Sequence, residues 1–239
     1  MALPRPDAHL PPPILAPDPC PDADHRPRVG RERRARMHRR LIESAVSIFA
    51  RKGADASVIS DVILGAGVSR GTFYNYFPSN ADLLFAVKHA LGAELKDLVD
   101  ARVADIDDPA ARIATGMRLI MGAARDHPLF GQFVARIGLQ TVGPGSLIYD
   151  ALAPFVAQGV AQGRFADAPP IAALDMIAGI AAAGVTRMSG QNAPPDHADH
   201  VAASILRGLG VAPPEALALA TAPLARLAVG PDTLLGRST

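Results

Sequence analysis

The chain has 239 residues, of which 49% are apolar, with no Trp, few aromatics and a formal net charge of +1. That length suffices for one large domain or for a small domain beside a larger one, and a core left to Ala, Leu, Ile and Val, with Gly allowing close approach, favours helices over sheets. Cys20 is the only cysteine, which excludes an intrachain disulfide, and neither a secretory signal nor ~20 uninterrupted apolar residues can be found, so a cytoplasmic protein without membrane contact is expected.

The charge is unevenly placed. Residues 1–52 carry 11 Lys/Arg against 6 Asp/Glu, whereas residues 53–239 carry 13 against 17. Residues 1–27 hold nine prolines and little that can pack, and read as a disordered arm. An arginine run from Arg26 to Arg40 follows, which is either solvated or set against a polyanion. Met37, Leu41, Ala45, Ile48 and Phe49 recur at helical spacing opposite these arginines, predicting a helix over 33–52 that Gly53 stops. Ser57 is a suitable N-cap for a short helix from Val58 to about Leu64, ended by Gly65-Ala66-Gly67. Ser69 caps the next helix, through about Phe77, and Ser79 with Asp82 resembles a capping box for a long helix to about Ala104. Short helix, glycine turn and short helix form the helix-turn-helix pattern, whose second helix is free to enter a DNA major groove. Asp108-Pro109 starts a further series, expected over 109–126, 128–138, 147–162, 170–189, 195–209 and 213–228. No strand pattern is seen, so the fold class is all-α.

The stretch Gly67 to Ser79, GVSRGTFYNYFPS, carries an unusual density of hydrogen-bonding and stacking groups. Phe73 with Val68, Val62 and Ile59 can fill a small core beneath, which leaves Arg70, Thr72, Tyr74, Asn75 and Tyr76 displayed. Arg and Asn suit base edges; hydroxyls and helix N-terminal amides suit phosphates. Gly71 lets the helix approach DNA closely. An aromatic packing segment is the alternative reading, which the glycine turn and the caps oppose.

From helix one through ASVISDVILGAGVSRGTFYNYFPSNADLLFAV, ending at Val87, the chain resembles the N-terminal domain of TetR-type (TetR/AcrR) transcriptional regulators. Gly53, Ser57, Asp61-Val62, Ala66-Gly67-Val68-Ser69, Gly71-Thr72-Phe73-Tyr74, Tyr76-Phe77 and Asp82-Leu83-Leu84 fall where that pattern puts them. The resemblance implies that Ser69, Arg70, Thr72, Tyr74, Asn75 and Tyr76 face double-stranded DNA, that Ser57 and the helix-one arginines, Arg33 and Arg34 among them, meet flanking phosphates, and that the protein is a homodimer. Two departures stand out. Asn80 replaces a usual lysine, and Ile63-Leu64 replaces a small-then-charged pair, from which Leu64 is expected to pack against helix one or the second domain.

The general family layout divides the chain into the arm (1–27), a helix-turn-helix domain (28–78) and a helical ligand-binding and dimerisation domain (79–239). In the last, the small residues from Gly179 to Gly184, with Val201, Ile205 and Leu209, suit either half of a four-helix dimer interface or an intrachain helix pair. Met117, Met121, Phe130, Phe133, Tyr149, Phe155 and Met176 are candidates to line an apolar cavity for a small effector, with Arg118, His127, Gln132 or Arg136 at its edge. The motif DHADH, Asp196 to His200, could share a metal ion, but it has no third ligand, and acidic residues in a first helical turn are explained by the helix dipole. No phosphate loop, nucleophile elbow or metalloprotease motif occurs, so neither catalytic residues nor a cofactor are expected. The expected function is a ligand-responsive repressor on a palindromic operator; the alternative is a helical binding dimer with an inactive head.

Overall fold

A computed structural model of the protein describes residues 25–54, 58–137, 147–190 and 193–237, and all the regular elements among them are helices. The chain divides into two units, Met1–Met37 and His38–Thr239. Helix α1, His25–Lys52, begins before the boundary expected at residue 28. In its first unit the side chains from Val29 to Arg36 are exposed. In the second unit Leu41, Ala45 and Phe49 recur every fourth residue and are fully buried, and the Gly53 N–H closes α1 on the Phe49 carbonyl at 2.9 Å.

Two short helices follow, α2 (Ile59–Ala66) and α3 (Arg70–Tyr74), and then the long α4 (Asn80–Val103). Caps set their register. The Ser69 hydroxyl accepts from the Thr72 N–H at 3.1 Å. The Ser79 hydroxyl accepts from the Asp82 N–H at 3.2 Å and donates to the Asp82 carboxylate at 2.7 Å. On α4 the residues Leu83, Val87, Leu91 and Leu95 form one buried stripe.

The remainder is a bundle of α5 (Pro109–Asp126), α6 (Pro128–Ile137), α7 (Leu147–Ala161), α8 (Pro170–Ser189), α9 (His197–Gly208) and α10 (Pro213–Thr221). Helix α5 is central, buried along most of its length and packed against α4, α6, α7, α8, α9 and α10. Helix α8 is long and apolar enough to cross a membrane, but Ala173, Leu174, Ile177, Ala178, Ala181 and Val185 place it in the core of this unit. Gly184 is what lets α8 lie close to its neighbours, since a Cβ there would stand 3.0 Å from the Met121 sulfur and 3.3 Å from Val201. That part of the small-residue segment therefore serves an intrachain contact.

Helix α10 stops at Thr221 rather than near 228. Leu224 and Leu227 continue the apolar spacing, but Pro223 lacks an N–H and forces Ala222 out of the helical region, to φ −54° and ψ 143°.

One ionic cluster ties these helices together. Asp108 caps α5 by accepting from the Ala110 N–H at 3.0 Å, and both its oxygens take the Arg164 guanidinium, at 2.9 and 3.0 Å. The same guanidinium reaches Glu215 of α10 at 2.9 Å. Hydrogen bonding from Arg164 holds the Asp108 carboxyl below its usual range, and Asp108 in turn raises Arg164 above the ordinary guanidinium value.

Because the folded-state value of Asp108 is depressed, its stabilisation is complete above the unfolded carboxylate range, near ~3.9, and is lost as pH falls through the depressed value. Asp108→Asn keeps a good cap while removing the charge. Chemical unfolding of this variant should show a deficit at neutral pH that closes as pH is lowered through that window. Asp108→Ala should cost about 1–3 kcal/mol at pH 7, since cap and ion pair go together.

Candidate nucleic-acid interface

The turn between α2 and α3 is made by Gly67, at φ +59° and ψ 43°, with its N–H on the Leu64 carbonyl at 3.0 Å, while the Val68 N–H reaches the Ile63 carbonyl at 3.1 Å. This is the left-handed residue that ends a helix and redirects the chain. The space beside it is taken by Arg40, whose guanidinium would stand 3.0 Å from a Cβ at Gly67.

Beneath α3 the ring of Phe73 is fully buried with Val62, and Ile59 and Val68 are packed against the same cluster. The Phe73 carbonyl accepts from the N–H groups of Tyr76 and Phe77, at 2.9 and 3.0 Å, so an irregular turn extends the helix to Phe77 after its regular part ends at Tyr74. Phe77 is buried against the His38 ring, with centroids 5.1 Å apart.

With Phe73 and Phe77 inward, Ser69, Arg70, Tyr74 and Asn75 are exposed, and Thr72 and Tyr76 are half-buried. Tyr74 is held edge-on against Phe73 at 5.3 Å. The Ser69 and Thr72 hydroxyls lie 2.8 Å apart. The structure thus gathers six of the sequence-derived residues on one short turn. Arg33 and Arg34 are exposed in the first unit, and Ser57 lies outside the described residues.

Both departures from the family pattern have structural outcomes. Leu64 does not pack as expected; it is 81% exposed. Ile59, Val62, Ile63 and Ala66 form the inward face of α2, and a residue two places after Val62 falls on the opposite face with exposed Ser60. Asn80 donates from its amide to the Ala54 carbonyl at 2.7 Å, a structural role 26 positions away in sequence, and its Oδ1 is buried without a partner among the described residues. Sequence reasoning also missed Ser44, whose hydroxyl donates to the Val62 carbonyl at 3.2 Å and joins α1 to α2. Neither contact leaves a signal in local spacing.

The candidate effector residues are mostly core. Met117, Met121, Phe130, Phe133 and Tyr149 are buried, and Phe155 and Met176 are half-buried against the same cluster. Their contacts lead to different neighbours. Phe133 meets Phe49 of α1 with centroids 6.4 Å apart, and Arg112 lies 5.3 Å over Phe155. The Tyr149 hydroxyl donates to Asp175, which with burial pushes its pKa up to about 12. Of the edge residues, Arg118 is committed to Asp199 at 2.7 Å, and the buried His127 Nδ1 has no partner among the described residues. In the DHADH segment His200 pairs with Asp196 at 3.1 Å and Asp199 with Arg118, and the described residues hold no cluster of three metal-ligating groups.

Residues 41–87, the span from the buried part of α1 through α3 into α4, match the model of bacterial regulatory proteins of the tetR family, and residues 108–222 match a tetracyclin repressor-like C-terminal domain. The chain belongs to the TetR family. This TetR-family fold is similar to that of RolR in complex with its ligand resorcinol, at 28% identity over 83% of this chain and 100% of that one, with a TM-score of 0.66. The ligand-free RolR structure gives 28% identity, 79% and 99% coverage and a TM-score of 0.62. Among sequence relatives, the HTH-type transcriptional regulator YvdT of Bacillus subtilis is 31% identical over 71 residues, 30% of this chain and 37% of that one. An HTH-type regulator of Mycobacterium tuberculosis is 25% identical over 121 residues, 49% of this chain and 60% of that one. The matches thus span between 37% and 60% of the length of these relatives.

The geometry of the turn is open to direct test. Gly67→Ala places a side chain in a left-handed conformation beside Arg40 and should destabilise the protein by about 1 kcal/mol, and Ser69→Ala, which removes the α3 cap, by a similar amount. Phe73→Ala should cost about 3–5 kcal/mol as a cavity at the head's core. Chemical denaturation of the three variants gives these differences.

Proposed function

We propose that the protein is a ligand-responsive homodimeric repressor that binds a palindromic operator through α3 and acts in the cytoplasm. The observation that carries this reading is the turn itself: a helix capped by Ser69, anchored by fully buried Phe73, and presenting Arg70, Tyr74 and Asn75 to solvent. On this reading Arg70 and Asn75 read base edges, Ser69, Thr72, Tyr74 and Tyr76 position the helix on phosphates, and Ser57, Arg33 and Arg34 add flanking phosphate contacts. The recognition helices of a dimer would then lie about 34–36 Å apart, or a multiple of it.

Gly71 supports the assignment from another direction. It is exposed, and a Cβ there would meet nothing nearer than the Ser69 hydroxyl oxygen at 4.0 Å. Its own fold therefore does not require glycine, which suits a helix that approaches a bound partner closely.

For the second subunit, α8 and α9 offer a surface of small residues. Ala183, Ser204 and Gly208 are exposed, and Gly179 has open space where a Cβ would stand. The effector is taken to be a small phenolic or similarly compact aromatic molecule, because RolR carries resorcinol on a related scaffold. Met117, Met121, Phe130, Phe133, Tyr149, Phe155 and Met176 are the residues we assign to its surroundings. An effector lowers operator affinity by binding better to the subunit arrangement whose head spacing is wrong for DNA.

An operator selected from a random duplex library with the full-length protein provides the assay. Arg70→Ala and Tyr74→Ala should each reduce affinity for the selected site by about 10–100-fold while leaving the thermal midpoint unchanged. Gly71→Ala should keep or raise stability, because Ala is the better helix former by about 1 kcal/mol, yet weaken operator binding. Wild-type affinity in all three variants would refute the assignment of α3. Titrating resorcinol into the operator complex should release DNA and raise the thermal midpoint of the free protein; no effect of any simple phenol on either would refute the effector class.

A further inference from the structure

The segment after α10 lies, from residue 223 on, beyond both spans matched to the family, yet it is held to the body of the protein at successive points. Arg118 of α5 donates to the Ala222 carbonyl at 2.7 Å, and Arg102, near the end of α4, donates to the Ala225 carbonyl at 3.2 Å. Farther on, a tight turn is closed by Thr233, whose hydroxyl donates to the Gly230 carbonyl at 2.7 Å and accepts from the Gly236 N–H at 2.9 Å. The turn aims the consecutive N–H groups of Leu234 and Leu235 at the two oxygens of Glu94, each at 3.0 Å. A carboxylate bound by two adjacent backbone amides is a charge-assisted, directional contact. Leu235 is fully buried and Leu234 nearly so. The last anchor is Arg237, which reaches Glu43 of α1 at 2.7 Å.

The order of these anchors describes a path. Arg102 and Glu94 are separated on α4 by roughly 12 Å, so the segment runs back along α4 toward its N-terminal end and finishes on α1. It therefore touches α5 of the effector domain, the connecting helix and the first helix of the DNA-binding head in turn. We propose that residues 222–237 form a strap that fixes the head against the effector domain, so that operator affinity depends on whether the strap is engaged. The regulatory consequence rests on the function proposed above; the mechanical one does not. An engaged strap narrows the orientations available to α1, and a released strap obliges DNA to select one of many.

Hydrogen–deuterium exchange on the full-length protein tests the mechanical part without DNA. Wild type is compared with Glu94→Ala, with Arg237→Glu, with Glu43→Arg and with the charge-reversed pair carrying both of the last two. Release should speed exchange about tenfold at the amides of Leu234 and Leu235 and also within residues 41–52 of α1, and the reversed pair should restore the protection lost in either single variant. In the operator assay the single variants should bind about three- to tenfold more weakly, with the reversed pair near wild type. Unprotected Leu234 and Leu235 amides in wild type, or loosening confined to 230–237 with α1 and operator affinity unchanged, would overturn the strap. If wild type itself bound no DNA, the function proposed above would fail, while the exchange data would still decide whether the tail restrains α1. Arg237 is exposed and Glu43 half-buried, and the reversed pair keeps the test decisive even if Glu94→Ala fails to fold.

Discussion

The burial of one stripe on α4 is the constraint on which the rest of the molecule depends. Leu83, Val87, Leu91 and Leu95 belong to a single apolar cluster that contains Phe73 beneath α3 and also Ile113 and Met117 in the bundle. A close-packed interior has few voids to absorb a shift, so α4 cannot slide or turn without repacking at both ends. The contact of Phe49 with Phe133 adds a second apolar link between α1 and α6. Head and bundle within this unit are thus neighbours through shared packing, which is the physical requirement for a distant ligand to be felt at α3.

Charge is used where packing alone would leave helix ends loose. Asp108 starts α5 and, through Arg164, draws in the turn after α7 and the first turn of α10. Arg118, 13% exposed, holds α9 through Asp199. These guanidiniums each serve more than one acceptor, a geometry suited to Arg's planar fork. These two ionic contacts sit at junctions between helices.

What the sequence disclosed was local. Ser69, Ser79 and Asp108 were legible as caps because each bonds an N–H two or three residues on. Helix α1 was legible because Met37, Leu41, Ala45, Ile48 and Phe49 recur at helical spacing, and the start of α5 because a proline follows its cap. The exposed turn around Arg70 and Tyr74 was legible because Phe73 claims the one inward position between them. The failures were of two kinds. Continued apolar spacing masked the stop before Pro223, and an assumption that a large apolar residue must be covered misplaced Leu64. The roles of Ser44, Asn80 and Glu94 depend on partners 18, 26 and about 140 positions away, which no local pattern encodes.

The pairing of Arg237 with Glu43 also orders events in time. It joins residues 194 positions apart, whereas the bonds that make the turn and the α3 cap close within five positions. Loop closure of that length contributes little until intervening structure has formed. On the ribosome the residues of the α2–α3 turn are made before those that tether α1. A chain halted early would carry the turn with no tether.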